Sequence, residues 1–346
     1  MAYTTINKHT DFFNTKLYTG TAASNAITGV GFQPDWVWLK SRSYSDNHSV
    51  FDSVRGVTKR LFPNLNSAEG TEAQSLKTFD SDGFTLGTDG IANGGSGKTY
   101  ASWNWKAGTT SGITTNGSTT ITPTGYSFNT TSGFSIIKYT GNGYANAKFP
   151  HGLGVAPKVT IIKNITQSSN SWYVHHASLG SNTELYLDTS DEAPATTGND
   201  VTPDATNIQL SGTSSATNGS GTPYIAYCFA EKTGYSKFGS YVGNGNADGI
   251  FAYTGFKPSW VLIKNSSSAA SWTLYDNKRP GYNEDNAYLI TDGSDGEATD
   301  KDIDLISNGF KPRTSNSALN TSGNTYVYLA FGQSVVGSNN VPATAR

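Results

Sequence analysis

The sequence predicts an all-β chain of three tandem antiparallel β-sandwich units, each about 100 residues long. Three observations carry this expectation. An apolar strand entered through a proline turn occurs three times, as GFQPDWVWLK, GVAPKVTIIK and GFKPSWVLIK, and each ends in a lysine (Lys40, Lys163, Lys264) six residues after its proline. Each is answered by a closing strand, and from proline (Pro34, Pro157, Pro258) to closing tyrosine (Tyr100, Tyr224, Tyr326) the separations are 66, 67 and 68 residues. The third observation is composition. With 38 Gly, 19 Tyr, 16 Phe and 7 Trp against 14% charged residues, the chain suits short strands and many turns.

Taken in order, residues 1–14 read as an N-terminal arm. The first unit spans 15–108 and opens on KLYTG, a strand that recurs as IKYTG and SYVGN. Residues 109–133 are Gly/Ser/Thr-rich, the composition of a linker, although TTITPTGYSF alternates enough for one edge strand. The second unit spans 134–232 and the third 235–334. Two residues separate them, so these units are expected to pack rigidly. The segment 335–346 is an uncharged tail until Arg346 and reads as an extended contact segment. Within units, SVFDSV, WYVHH and WTLYD have strand lengths and β-branched or aromatic content. Short helices or turns are expected only at 67–76 and 296–306. Trp36, Trp260 and the closing tyrosines are expected to fill the space between sheets.

Net charge is −2. That balance argues against nucleic acid, whose phosphates need a basic surplus, and against electrostatic membrane binding. Cys228 is the sole cysteine, so no intrachain disulfide can form, and its strand context makes it a small inward hydrophobe. The N-terminus holds no apolar core of signal-peptide length and nothing approaches a membrane span, so synthesis in a cytoplasm without cleavage is expected.

Few residues are arranged for chemistry. Asp52 and Arg55 in VFDSVRG match Asp276 and Arg279 in LYDNKRPG. The spacing lets each pair meet at a strand end, as a structural ion pair rather than an acid and its partner. His175 and His176 are adjacent on a strand and point to opposite faces, so they cannot share a metal. TDGSDGEATDKDID carries Asp292, Asp295 and Asp300, a dense oxygen supply that suits a calcium ion, although a solvated turn explains it too. No other cofactor is expected. No Ser–His–Asp set, HExxH helix or phosphate loop is present. Trp103 and Trp105 alternate with Ser102 and Asn104 and share one face. With Trp172 and Trp272 they are candidates for stacking on sugar rings, against the alternative that they complete a core.

The pieces TTINKHTDFFNTKLYTG, GVGFQPDWVWLKSR, FDSDGFTLG, YASWNWKAG, YCFAEKTGYSKFGSYVGNGNADG and VPATAR resemble a family of virion structural or tail-fibre-like proteins of marine tailed bacteriophages, which in turn resemble concanavalin-like lectin sandwiches. The resemblance spans nearly the whole chain and implies a virion component. It supplies no catalytic residues. The expectation is therefore a non-enzymatic structural protein, foremost a tail-fibre or receptor-binding component contacting host surface polysaccharide. A capsid decoration or head-fibre protein is the alternative, and a polysaccharide depolymerase the third reading. Expected partners are other virion proteins and further copies of the chain, with a trimer the symmetry usual for fibres.

Overall fold

Strand register follows from the alternation of apolar side chains, and it brings distant segments together in one recurring order. The computed structural model describes residues 3–95, 97–194, 201–279, 283 and 287–336. The first large sheet runs β1 (Phe13–Thr19), β9 (Thr99–Trp105), β3 (Trp36–Ser41), β4 (Ser49–Asp52). The second runs β10 (Gly125–Asn129), β11 (Phe134–Thr140), β18 (Pro223–Phe229), β13 (Val159–Asn164), β14 (Tyr173–His176), β15 (Leu185–Tyr186). The third runs β19 (Ser236–Val242), β26 (Thr325–Gln333), β21 (Lys257–Asn265), β22 (Thr273–Asp276), β23 (Leu289–Ile290). In all three the closing strand lies between the opening strand and the proline strand, and every pairing is antiparallel.

Each large sheet is covered by a three-stranded one. These are β2 (Asn25–Ile27), β8 (Gly83–Leu86), β7 (Leu76–Asp80); β12 (Ala147–Pro150), β17 (Asn207–Leu210), β16 (Val201–Pro203); and β20 (Ala252–Tyr253), β25 (Gly309–Pro312), β24 (Ile303–Ile306). A two-stranded piece, β5 (Lys59–Arg60) with β6 (Gly70–Thr71), completes the set. Side chains alternate across a strand, so each proline strand feeds two cores. Val37 and Leu39 pack under β2, β8 and β7, whereas Trp36 and Trp38 point the other way. That other face is shared: Trp36, Phe134, Tyr227, Phe229, Trp260 and Phe331 from the three large sheets form one central cluster, which holds all seven tryptophans of the chain. Burial on both faces explains why the proline strands read as continuous apolar runs.

The closing signature has a physical reading too. Where the opening strand leaves its sheet, the buried side chains of Asn93, Asn218 and Asn320 accept the amides of Thr21, Asn142 and Asn244 at 2.9, 3.0 and 2.9 Å. The residue after each asparagine donates its N–H to the hydroxyl of Tyr100, Tyr224 or Tyr326. The strand exits are glycines because the backbone passes close: a Cβ on Gly20, Gly141 or Gly243 would meet a carbonyl oxygen at 2.1, 2.4 or 2.3 Å.

Two expectations need correction. Neither 67–76 nor 296–306 is helical, and the turn alternative holds only at 73–74; their strands are β6, the start of β7, and β24. The only α-helix among the described residues is α1 (Gly90–Asn93), capped by the Asp89 side chain on the Ala92 amide. The 109–133 segment is also more than a spacer. Its edge strand β10 pairs with β11, and Ile121 is buried in the second sandwich core. The arm is tied down: Ile6 enters the central cluster and the His9 amide donates to Gln333 Oε1 at 2.8 Å. Most of the tail, 337–346, lies outside the described residues.

Phe331 touches rings from all three large sheets, with Phe13, Trp105, Phe229 and Trp260 at centroid distances of 5.4, 5.7, 5.9 and 5.7 Å. Phe331→Ala is expected to cost about 3–5 kcal/mol. Chemical denaturation should show it as a lower midpoint in one transition for the whole chain; loss of signal from the third sandwich alone would contradict a shared core.

Candidate functional site

One set of buried polar residues lies where one large sheet meets the next. Asp52 and Arg55 form an ion pair at 2.5 Å, and Asp276 and Arg279 one at 2.7 Å, all with fully buried side chains. Each pair extends to a second carboxylate, Glu69 at 3.1 Å and Glu297 at 3.3 Å. Each also reaches a neighbouring sheet. Tyr227 donates its hydroxyl to Asp52 at 2.7 Å, and the Trp103 indole donates to Asp276 at 3.0 Å. His176 takes the same register position in the second sheet, opposite Val159 as Asp52 is opposite Trp36, and its Nε2 bonds the Tyr328 carbonyl at 3.2 Å. The contacts therefore run from first sheet to second, second to third and third to first, and close a ring.

Two further sets of bonds follow the same circuit. The residue preceding the fourth strand reaches back: the Trp172 indole to the Phe62 and Leu65 carbonyls at 3.0 and 3.1 Å, the Trp272 indole to Tyr186 at 2.8 Å, and His48 Nε2 to Ile290 at 3.0 Å. The residue after each proline strand's lysine and its polar neighbour, namely Arg42, Ile165 or Ser266, accepts the amide of Glu297, Glu69 or Ala193. Beside these joints the three lysines are buried without a bonded carboxylate. Lys40 donates to the Ser41 and Tyr44 carbonyls, Lys163 to Asn66 and Asn170, and Lys264 to Ser190, Asn265 and Ala270. Burial pushes each ammonium down to about 8.

This geometry corrects the sugar-platform reading of the tryptophans. Trp103, Trp105, Trp172 and Trp272 are 1% exposed or less, because three inner faces meet there and leave no room for a ring from outside. Of the candidate calcium ligands, Asp292 accepts the Trp272 amide at 2.9 Å and Asp300 the Tyr288 hydroxyl at 2.5 Å, and among the described residues no group of three or more His, Cys, Asp or Glu side chains, Asp295 included, is placed to hold a metal ion. Asp52, Arg55, Asp276 and Arg279 are ion pairs, as their spacing suggested.

Two features escaped the sequence. Asp35 is buried at the rim of a cleft of about 500 Å³ lined by Val54, Gly125 and Tyr126, and burial raises its carboxyl although Ser53, Ser127 and the Ala107 amide all donate to it. The second is an aromatic surface. Phe251, Tyr253 and Tyr3 are 48, 58 and 44% exposed. Phe251 and Tyr253 stand edge to face at 6.3 Å, and the Tyr3 hydroxyl anchors on the Gly255 carbonyl at 3.0 Å. The i, i+2 spacing of FAY beside a turn glycine was the available signal.

The chain matches the family described as Domain of unknown function (DUF7483) over residues 8–334. It belongs to that family. The matched span takes in all three large sheets and their joints. No curated protein matches the chain, and no solved structure does.

The joints carry two predictions. Removing one partner of a buried pair strands the other charge, so Arg55→Met is expected to cost about 3–5 kcal/mol, and Asp52→Leu combined with it appreciably less than the sum. A double-mutant cycle in urea measures this; additive losses would mean that the pair is not coupled.

The second concerns acid. His48, His151 and His176 each accept an N–H at Nδ1, from Trp38, Leu153 and Ser178, so Nε2 carries the proton and a second proton would oppose a donor. Burial lowers all five histidines, with His9, His175 and His176 at about 4. A folded value below the unfolded 6.5 gives stability that is complete above that pH and lost as pH falls toward about 4, since the unfolded chain takes the protons. Asp35 and Asp292, raised by burial, oppose this at the lower end. Thermal melts between pH 7 and 4 should fall steeply for the native chain and less so for His176→Gln; parallel curves would sink the assignment.

Proposed function

We propose that this chain is a non-enzymatic structural protein of a phage particle, built of three tandem lectin-like sandwich units and exposed as a tail-fibre or receptor-binding component. The observation that carries the reading is the Tyr3, Phe251 and Tyr253 surface, which replaces the buried tryptophans as the place for a sugar to stack. Outward rings near a turn offer apolar faces with hydroxyl edges, the combination that suits a pyranose. The resemblance to virion proteins supplies the particle, and the low charge supports contacts that do not depend on ion pairing. At high ionic strength the screening length falls to a few ångström, about 3 Å at 1 M, so such contacts persist. The partners in this reading are other virion proteins, further copies of the chain and host surface polysaccharide.

Support for a depolymerase is weaker. The cleft of about 390 Å³ at Asp248, Asp302 and Asp304 gathers carboxylates, but Lys311 and Arg313 hold Asp248 below its ordinary range. A general acid needs the opposite shift.

Labelled protein should bind host cells saturably, lose binding when surface polysaccharide is stripped, and keep it in high salt. Tyr253→Ala with Phe251→Ala should weaken binding at least tenfold without changing the melting temperature. Equal binding by the double variant would remove the glycan surface from the reading. Absence of the chain from purified particles, by mass spectrometry, would remove the virion role.

A further inference from the structure

The three opening strands, β1, β11 and β19, occupy the same place in their sheets, yet their outer edges are treated differently. Thr15, Ile136 and Phe238 hold one register position, each two residues along from the residue opposite Trp105, Phe229 or Phe331. Backbone bonds at both ends of each strand fix which amides face outward. The Lys106 amide bonds Phe12 and the Gly20 amide bonds Lys98, so alternate residues starting at Phe13 turn their polar groups away from β9. The outward edge of β11 is paired with β10, where Ser127 lies opposite Ile136. On β19, a carboxylate covers it: the Phe238 amide donates to Glu231 Oε1 at 2.9 Å. On β1 no strand pairs at that position among the described residues.

A cleft of about 400 Å³ runs along the β1 edge, lined by Asn14, Thr15, Lys16 and Leu17 and flanked from the third sheet by Lys278. Thr15 is 4% exposed, and its hydroxyl has no hydrogen-bond partner. The cleft thus combines an open strand edge, an orphaned buried hydroxyl and two lysines. We propose that the β1 edge is a docking site for an acidic, extended segment of a partner protein, which adds as a strand in the manner of β10 and sets a carboxylate between Thr15 and Lys278 in the manner of Glu231. Main-chain bonds to the odd-numbered residues supply affinity, and the lysines select for acidic side chains. An uncharged strand would leave Lys278 without a carboxylate, whereas Lys16 already lies in the field of Asp82, and an open flat edge left without a partner invites unspecific pairing.

The test uses the full chain and a fluorescent peptide of residues 120–131 carrying S127E, which presents the β10 backbone with a carboxylate at the position facing Thr15. Saturable binding by anisotropy is expected, weaker in high salt, at least tenfold weaker with K278E and restored for K278E by the S127K peptide. Thr15→Pro removes the outward amide at an edge position that tolerates proline and should abolish binding with an unchanged circular dichroism spectrum. Absence of saturable binding, or binding indifferent to K278E, overturns the proposal. Self-association of the peptide-free chain that Thr15→Pro blocks also overturns it, by giving the edge to a second copy.

Discussion

The shared aromatic core is the constraint on which the rest of this structure depends. Seven indoles converge on one cluster, and each brings an N–H that burial makes costly to leave unpaired. Four are bonded. Trp103 and Trp272 reach another large sheet, at Asp276 and Tyr186, and Trp172 reaches the Phe62 and Leu65 carbonyls in the loop between β5 and β6. The fourth, Trp38, donates to His48, which itself passes a bond to Ile290. Satisfying the indoles therefore builds the joints. Trp36, Trp105 and Trp260 keep unpaired N–H groups, each a standing cost of about 1–3 kcal/mol against the apolar area they bury.

The strands were legible because their information is local. Proline turns, terminal lysines and closing tyrosines recur at fixed spacing, and the burial of the proline strands on both faces is written as unbroken apolar runs. The joints were not legible, because their partners lie 175 residues apart for Tyr227 and Asp52 and 173 for Trp103 and Asp276. The alternation of Trp103 and Trp105 identified a common face but could not say what would cover it. No helix forms at 67–76 or 296–306, because Glu69 and Glu297 meet Arg55 and Arg279 there, a role with no helical period. The aromatic surface was missed because Tyr253 lies in a two-residue strand, Ala252–Tyr253, with Phe251 just before it, too short for a strand pattern to be read.

The three lysines show how a repeated residue can carry a role that its position in sequence hides. A strand-ending lysine ordinarily reads as a solvated charge. Lys40, Lys163 and Lys264 are instead wholly buried and bound by carbonyl oxygens, two of them across a joint: Lys163 to Asn66 and Lys264 to Ser190. An ammonium suits this place because it has three donors and no directional plane, so it can collect carbonyls from two loops at once. Burial disfavours its charge, and the carbonyls offset that cost through charge-assisted bonds.

Closure of the ring also explains why its corresponding positions are not filled alike. Three identical joints would let one large sheet take another's place, within the chain or between copies. Here the fourth strand ends in Asp52, His176 and Asp276, which meet a tyrosine hydroxyl, a main-chain carbonyl and an indole N–H. Reversing the order would leave Asp52 facing Leu329, with a buried charge unpaired, and set His176 Nε2–H against the Trp103 indole N–H, since Trp103, Tyr227 and Leu329 hold equivalent positions. Unmatched buried polar groups penalise a wrong partner more heavily than matched ones favour the right one. The apolar centre thus drives three large sheets together without preference for order, and the differences among three polar joints fix the order in which they close.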